Sequence, residues 1–360
     1  MNIDSTTKIY LGGVEQVKIM KNGSVIWEKQ QQDTTDYFYI ENTYNGTNTV
    51  TINTVSSQTV PSQQFFTSTL EYSKDKLNWS TLNLSIGTQH TITLNQGEKV
   101  YFRNSNGVFN YYNRSTSTWV SNCFSADEYH SAGGNVNSLG DYTNMDNFTI
   151  PTGFLFNLFG IDVNTGDVRL NDISQLRMPA TTLANFCYKN LFSNCIGITQ
   201  IPATLLPATT LAEGCYMWLF QNTGVSTVPS GLLPALTMQS YCYQGLFENC
   251  IYLTTVPSNM LPGTTLASQC YRALFYGATS LRNSPDLIAQ TTVANCYNSM
   301  FYNCSSLNEI TTYTNSISGS NALSNWTYGV SATGTFYKYG NANFPSGASG
   351  IPSGWTVVTQ

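Results

Sequence analysis

One phrase recurs five times between residues 178 and 310, and it constrains the fold of this chain more than any other feature. Each copy reads Cys-Tyr, two variable residues, an apolar residue and Phe, and the copies begin at Cys187, Cys215, Cys242, Cys270 and Cys296. The steps between them are 28, 27, 28 and 26 residues. A fixed period in this range predicts a solenoid, in which each unit buries its apolar side against its neighbours.

Each unit also contains a Pro-x-Thr-Thr-Leu-type segment before the phrase and an apolar-x-x-apolar step after it. In the third copy, Cys242, Leu246 and Phe247 fall on one face of a helix, which predicts one or two helical turns. Leu253 and Val256 follow in a stretch rich in Thr and Val, and this composition favours a short strand. Neither element is long enough to be stable alone, so the units are expected to stack.

The third unit also carries a recognisable family spacing. Phe247, Cys250, Leu253 and Val256 follow one another at intervals of three, and Pro257 comes next. This spacing resembles the BspA-like leucine-rich repeat, of the kind encoded by gut Bacteroides-type bacteria and their phages. The period of that family is usually shorter, so the residues around Pro-x-Thr-Thr-Leu imply a longer loop in each repeat.

Composition limits the classes of function. The 360 residues suit two or three domains, and only 10% of them are charged. A net charge of −5 and a pI near 5.0 argue against nucleic acid as a partner. No apolar stretch approaches the ~18 residues of a membrane span. Residues 1–8 contain no apolar segment of the secretory type, so we expect no signal sequence, with a leader removed earlier left open as the alternative.

The N-terminal residues predict a small three-stranded β-module. Asn22 and Gly23 separate two apolar runs, which is a strong hairpin signal, and Ile9 to Leu11 before two glycines adds a third strand. The phrase beginning at Lys8 and closing on Trp27 is similar to N-terminal modules of phage virion proteins. The alternative is an ordinary small β-unit that packs on the next domain.

The next region predicts a β-sandwich. Six short strands with turn residues between them are expected at 37–41, 49–53, 69–73, 91–94, 100–103 and 108–112. The segment from Tyr72 to Trp79 resembles a hairpin of Ig-like domains in bacterial surface and phage proteins. That resemblance implies that Trp79 is a core anchor and not a platform for a sugar.

The predicted fold class is therefore mainly β with short helices, in five parts. Phe154 to Phe159 fits the repeat phrase with Phe154 in the Cys place, so we read it as a divergent first repeat. Trp326 and Trp355 are expected to be buried in a closing cap, because a solenoid must cover its ends. The parts are an N-terminal β-hairpin module (1–29), an Ig-like β-sandwich (37–125), a lead-in with the first repeat (126–177), the BspA-like leucine-rich repeats (178–310) and the C-terminal cap (311–360).

The nine cysteines are expected to be core thiols. Three repeats carry a second Cys eight residues after the first, but the other two have Thr223 and Ala278 there. A buried thiol tolerates such substitutes, whereas a disulfide in each repeat would not. The spacing does not suit zinc either, and no metal or cofactor is expected. The structural core thiols are Cys187, Cys215, Cys242, Cys270 and Cys296.

No catalytic residue is predicted, and the chain is expected not to be an enzyme. His90 lies in an alternating strand and His130 in a polar loop, and none of the usual hydrolase or phosphate-binding motifs occurs. Asp141 and Asp146 could bind calcium, but their spacing differs from an EF-hand and favours turns. A carboxylate pair assembled from distant parts of the chain is left open.

The candidate binding residues form a row on the predicted strands. The residue two after the first strand apolar recurs in register as a polar side chain, which would give a flat ladder for a repetitive partner. The alternative is that this row is simply solvated. Trp218 takes a place where the other repeats have small or polar residues, so it either lies exposed at a contact or fills a local gap. The row consists of Gln200, Thr227, Thr255, Asn283 and Glu309.

These observations favour a non-enzymatic structural and adhesion protein of a phage virion, located at the virion surface after assembly in the host cytoplasm. The N-terminal module would bind other virion proteins or assist homo-oligomerisation, and the repeats would bind a host surface protein, glycan or mucus. A secreted BspA-like adhesin of the bacterial cell surface is the second hypothesis. A glycan-processing enzyme with the repeats as a binding arm is the third.

Overall fold

The computed structural model describes residues 5–11, 14–21, 24–28, 35–56, 68–105, 109–113, 118–159 and 169–359, and these are mainly β. The N-terminal strands β1 (Ser5–Leu11), β2 (Val14–Lys21) and β3 (Ser24–Glu28) form an antiparallel sheet in that order. The predicted turn residues Asn22 and Gly23 lie outside the described residues, between two strands that do pair.

Two further sheets follow. The four-stranded sheet has the order β10 (Tyr111–Asn113), β11 (Thr118–Ala126), β5 (Asn48–Ser56) and β8 (Gln89–Leu94), all antiparallel. The six-stranded sheet has the order β13 (Leu170–Arg177), β12 (His130–Asn135), β4 (Phe38–Asn42), β9 (Lys99–Arg103), β6 (Ser68–Ser73) and β7 (Ser80–Leu84). Among these strands, β12 and β13 pair in parallel, and the other neighbouring strands pair antiparallel.

The two sheets pack face to face through aromatic side chains. Phe124 of β11 contacts Phe38 of β4 and Phe102 of β9, with ring centroids 5.5 and 4.8 Å apart. All three are fully buried. The sequence did not predict β11, β12 or β13, whereas β7 follows the predicted hairpin turn and pairs with β6. Strands β12 and β13 come after residue 125, so the six-stranded sheet extends beyond the predicted boundary of the sandwich.

Trp79 is not in this core, so its prediction as a core anchor is wrong. The indole is half-buried on the outer surface, with its ring centroid 5.0 Å from that of Tyr37. The Arg103 guanidinium lies 3.9 Å from the same ring, and its Nε donates to Glu71 at 2.8 Å. Trp79 therefore belongs to a surface cluster in which a cation lies on an aromatic face.

The repeated phrase forms a row of tight turns. Alternate amides bond within the unit, as from the N–H of Leu191 to the carbonyl of Tyr188 at 3.3 Å. The amides between them cross to the next unit, as from the N–H of Tyr188 to the carbonyl of Cys215 at 3.0 Å. Backbone groups of the phrase are thus paired both inside each unit and between units. We call these segments turn rows, and they occur at 154–159, 187–192, 215–220, 242–247, 270–275, 296–301 and 322–327.

Every fourth residue through a turn row and its flanking residues has a left-handed backbone, so the predicted helical turns are wrong. In the third copy, φ is 60° at Tyr241, 59° at Gly245 and 56° at Asn249, whereas an α-helix needs about −63°. The four-residue repeat of the turns brings Cys242 and Leu246 to the same side, and this mimics helical spacing. The helical segments among the described residues are α1 (Ser138–Asp141) and two 3₁₀ turns, Met145–Asn147 and Ser258–Met260.

Equivalent aromatic residues stack along the units. Tyr216 and Tyr243 have ring centroids 5.9 Å apart and are inclined by 5°, and Phe220 and Phe247 lie 5.7 Å apart at 8°. The tyrosine column runs from Tyr188 to Tyr297 and the phenylalanine column from Phe159 to Phe301. Because identical residues repeat, each ring contacts the copies before and after it.

Two more lines of hydrogen bonds join the units. The parallel strands β14 (Asn283–Leu287), β15 (Glu309–Thr312), β16 (Thr335–Lys338) and β17 (Thr356–Thr359) form a sheet in chain order. In the units before β14, single backbone hydrogen bonds join neighbouring units in the same way, such as the bond from the N–H of Thr254 to the carbonyl of Ser226 at 3.0 Å. The Thr-Thr segments of neighbouring units also pair with each other, as Thr182 does with Thr210. We call this region of the units the Thr-Thr corner.

The two outermost turn rows lack the Cys-Tyr phrase. In the first, Leu155 donates to the carbonyl of Cys187 at 2.7 Å, as the later copies do to their neighbours. In the last, the carbonyl of Ala322 accepts from Tyr297 at 3.0 Å, so the segment predicted as a cap begins with another unit of this geometry. Trp326 is fully buried there against Tyr297, and its Nε1 donates to Gly350 at 2.8 Å.

Candidate functional site

The predicted polar row lies on one outward surface of the parallel strands. Thr227 pairs with Thr255, and Asn283 pairs with Glu309. In each unit the next residue is buried or nearly so, as Val256 is after Thr255 and Ile310 after Glu309. Because strand side chains alternate, the buried residue fixes the polar one on the solvent side. Gln200, Thr227, Thr255 and Glu309 are exposed, and Asn283 is half-buried.

The row is longer than the sequence predicted. Glu309 pairs with Thr335 of β16, which pairs with Thr356 of β17. At the other end, Asp172 of β13 lies one period before Gln200 and is also exposed. These three residues were missed because no Cys-Tyr phrase directly precedes them to set the register. We call the surface the ladder face, defined by Asp172, Gln200, Thr227, Thr255, Asn283, Glu309, Thr335 and Thr356.

A groove opens at the N-terminal end of the ladder face. It has a volume of about 240 Å³ and lies between β13 and the following unit. Asp172 and Ser174 line one side, and Thr199 and Gln200 line the other. Asp172 Oδ1 accepts from the N–H of Ser174 at 2.7 Å, which orients the carboxylate. The groove therefore offers an anionic acceptor, an amide and two hydroxyls within one concave surface.

The C-terminal end of the ladder face carries stacked tyrosines. Tyr313 follows β15 and Tyr339 follows β16, and their rings lie 4.8 Å apart at 12°. Tyr339 is 37% exposed. Tyr337 is half-buried and pairs with Thr311. Burial raises the pKa of the nearby Asp286 carboxyl above its usual range. Only strand register could have indicated this pair, because both residues lie outside the repeated phrase.

Trp218 lies away from the ladder face, on the turn rows. It is half-buried, and a side chain at Gly245 would place its Cβ 2.3 Å from the Trp218 ring. Its Nε1 donates to Glu248 at 3.1 Å, and the Lys189 ammonium lies 5.3 Å from the ring centroid. Burial raises the pKa of the Glu248 carboxyl. The indole occupies the space over a glycine, so it is not brought together with the polar row.

All nine cysteines are buried free thiols, among them Cys187, Cys215, Cys242, Cys270 and Cys296. Burial raises the pKa of Cys215 to about 12, which keeps the thiol protonated and unreactive. The second Cys of a unit also donates a hydrogen bond, as Cys250 does to the carbonyl of Phe220 at 3.0 Å. Thr223 donates to the same carbonyl at 2.8 Å, which explains why Thr substitutes for Cys in that row.

The histidines and acidic pairs do not form a catalytic arrangement. His130 begins β12 and is fully buried, so the prediction of a solvated loop is wrong. Its Nδ1 lies 3.2 Å from the carbonyl of Glu128, while burial lowers its pKa to about 4. Asp141 Oδ1 accepts from the N–H and hydroxyl of Thr143 at 3.0 and 2.6 Å, which is a turn role. Within the described ranges, no three His, Cys, Asp or Glu side chains are grouped to hold a metal.

The ladder face is therefore the arrangement with the most evident capacity to bind, through a polar row, a groove and a tyrosine pair. None of the helices found in the described part of the chain is long and apolar enough to cross a membrane. Comparisons of the chain with models of protein families, with curated proteins and with solved structures found no match.

Proposed function

We propose that this protein is a non-enzymatic virion protein of a phage that binds a neutral, hydroxyl-rich polymer, such as a glycan of the host surface or of mucus, along the ladder face. The observation that carries the proposal is the register of the polar row over successive units. A ligand with a regular repeat can make the same contact at each unit, so that weak contacts add.

The chemistry of the face favours a neutral partner. Its side chains are hydroxyls and amides with two carboxylates, Asp172 and Glu309, and no cation. Hydroxyl and amide groups both donate and accept hydrogen bonds, which suits a polyhydroxylated chain. An anionic polymer would meet the carboxylates and a chain of net charge −5. The Tyr339 ring adds an apolar surface on which a sugar ring could stack.

The remaining regions have supporting roles in this proposal. The units from 178 to 310 act as a BspA-like leucine-rich-repeat solenoid that holds the ladder face rigid. The two packed sheets act as an Ig-like spacer, and β12 pairs with β13, so the spacer and the first unit share one sheet. The N-terminal strands attach the protein to the particle, a role supported by the resemblance of the phrase from Lys8 to Trp27.

Binding is tested by isothermal titration calorimetry and affinity electrophoresis with neutral polysaccharides and their carboxylated or sulfated derivatives. The variant Gln200→Ala/Thr255→Ala/Glu309→Ala removes three contacts and should weaken binding to a neutral polymer by about tenfold or more. The matched control, Gln239→Ala/Thr264→Ala, removes exposed polar groups at the Thr-Thr corner and should bind normally. Equal binding by both variants, or binding only of the anionic derivatives, would contradict the proposed site.

The virion assignment has a separate test. Mass spectrometry and immuno-electron microscopy of purified particles should detect the protein on the virion surface. A binding-competent protein that is absent from particles would refute the virion assignment and leave the ladder face as a binding surface of another kind of protein.

A further inference from the structure

The parallel sheet ends at β17, and its outer edge has no partner among the described residues. The inner edge pairs with β16 from Thr356 to Thr359. Thr356 N–H donates to the carbonyl of Gly334 at 2.9 Å, so Thr356 and Val358 face β16. In a parallel ladder the residues between them point the other way. Val357 and Thr359 therefore direct their N–H and C=O groups outward.

The side chains of this strand are also incompletely covered. Ile310, Phe336 and Val357 occupy the same position in three successive strands. The first two are fully buried, whereas Val357 is 45% exposed. Exposed edges are usually protected by a charge, a proline or a bulge, and Thr356–Thr359 contains none of these.

The two ends of the unit array differ in what they can accept. At the N-terminal end, β13 is already paired with β12 of the six-stranded sheet. A second copy therefore cannot add head to tail through these edges, because β13 has no outer edge to offer to β17. Of the two ends of the array, only β17 is then left to pair with β17, and pairing of the same edge in two identical chains gives a two-fold arrangement that closes on itself.

We propose that the edge of β17 pairs antiparallel with β17 of a second copy, around a two-fold axis at Val358. In this register, Val357 of each copy lies opposite Thr359 of the other copy. All the outward N–H and C=O groups of both strands then exchange hydrogen bonds. The strand itself is uncharged, so it adds no like-charge repulsion between two chains of net charge −5.

This pairing has a consequence for the ladder face. Opposed residues in a sheet project to the same side, so an axis at Val358 runs perpendicular to the sheet and keeps both polar rows on one surface. The dimer therefore presents two ladder faces side by side, which would increase avidity for a long ligand. The pairing depends only on the edge of β17, and it holds or fails independently of the proposed function.

Cysteine cross-linking tests the register. At the axis, Val358→Cys places two Cα atoms about 4.5–5.5 Å apart, within the range of a disulfide. Thr356→Cys lies on the same face but about 14 Å from its copy, too far to bridge. The native cysteines are all buried. We expect a covalent dimer from Val358→Cys and none from Thr356→Cys under mild oxidation. If both variants cross-linked equally, or if neither cross-linked, the proposed register would be wrong.

Sedimentation across a concentration series tests the association itself. The unmodified chain should dimerise in the micromolar range, since the edge is short. Val357→Lys should raise the dissociation constant at least tenfold, because it places a charge at the edge. Val55→Lys alters a similarly exposed valine, 38% accessible, in the four-stranded sheet and should dimerise normally. The proposal would be wrong if the unmodified chain stayed monomeric at all concentrations. It would also be wrong if Val357→Lys and Val55→Lys weakened the dimer equally.

Discussion

The two packed sheets and the stacked units bury aromatic residues in different ways. In the packed sheets, Phe124 contacts Phe38 and Phe102 from distant strands, at interplanar angles of 53° and 60°. In the units, Phe220, Phe247 and Phe275 stack on one another at 8° and 10°. The first core depends on contacts between distant strands, whereas the second depends on contacts between neighbouring units. The difference predicts how each region responds to substitution.

The largest effect is expected from removing a core ring in each region. Phe102→Ala and Phe247→Ala should each cost about 3–5 kcal/mol, since both rings are fully buried. Phe247 lies between the rings of two neighbouring units, so its loss should also uncouple the units on either side. Urea unfolding should show a lower m-value or a second transition for Phe247→Ala only. If both variants unfolded in a single transition with an unchanged m-value, the units and the packed sheets would unfold together, and the predicted difference would be wrong.

A pH effect of about 2 kcal/mol is expected from the packed sheets. Burial lowers the pKa of His130 to about 4, below the ~6.5 of an unfolded chain. The unfolded state then binds more protons, so stability is complete above about pH 6.5 and is lost as the pH falls toward 4. The free energy of unfolding should decrease by about 2 kcal/mol between about pH 7 and about pH 5.

His130→Gln is the control for this titration, because it keeps a neutral polar side chain at the same position. Its overall stability can be lower, but the decrease between about pH 7 and about pH 5 should be smaller than in the unmodified chain by the same ~2 kcal/mol. Parallel pH profiles of the two proteins would assign the effect to other groups.

An effect of opposite sign is expected at the left-handed positions of the units. Ala273 has φ of 53°, and the equivalent residue one unit earlier is Gly245. Because Cβ is strained in this region, Ala273→Gly should raise the stability by up to about 1 kcal/mol. Ala132→Gly in β12, where φ is not positive, should lower it by about 0.5–1 kcal/mol. Thermal unfolding of both variants measures this difference in stability. If both substitutions lowered the stability, the predicted strain at Ala273 would be wrong.

The smallest effect concerns the tyrosine column. The hydroxyl of Tyr243 is buried and has no hydrogen-bond partner among the described residues. Tyr243→Phe removes an unsatisfied polar group without changing the stack, so the stability should stay the same or rise by about 1 kcal/mol. Ser138→Ala is the contrasting change, because the Ser138 hydroxyl bonds Phe38 and Phe102 at 2.9 and 3.0 Å. Ser138→Ala should lower the free energy of unfolding by about 1 kcal/mol.

The prediction of the backbone from the sequence failed for an identifiable reason. Cys242, Leu246 and Phe247 share a side in a helix and also in a row of turns that repeats every four residues. The sequence does contain the distinguishing signal, since Asn190, Asn194 and Asn222 have positive φ, and asparagine tolerates that conformation better than most residues. Asn321 and Asn325 continue the same pattern where Cys-Tyr and Phe are lost.

By itself, the sequence determined the period, the apolar side of each unit and the register of Gln200, Thr227, Thr255, Asn283 and Glu309, because these depend on local spacing that repeats. Only the tertiary structure decided the rest. It placed Asp172 on β13, which pairs with the distant strand β12, buried His130 and left Val357 at an open edge. These outcomes depend on contacts between residues far apart in the chain, and no local pattern encodes which strand will be the neighbour.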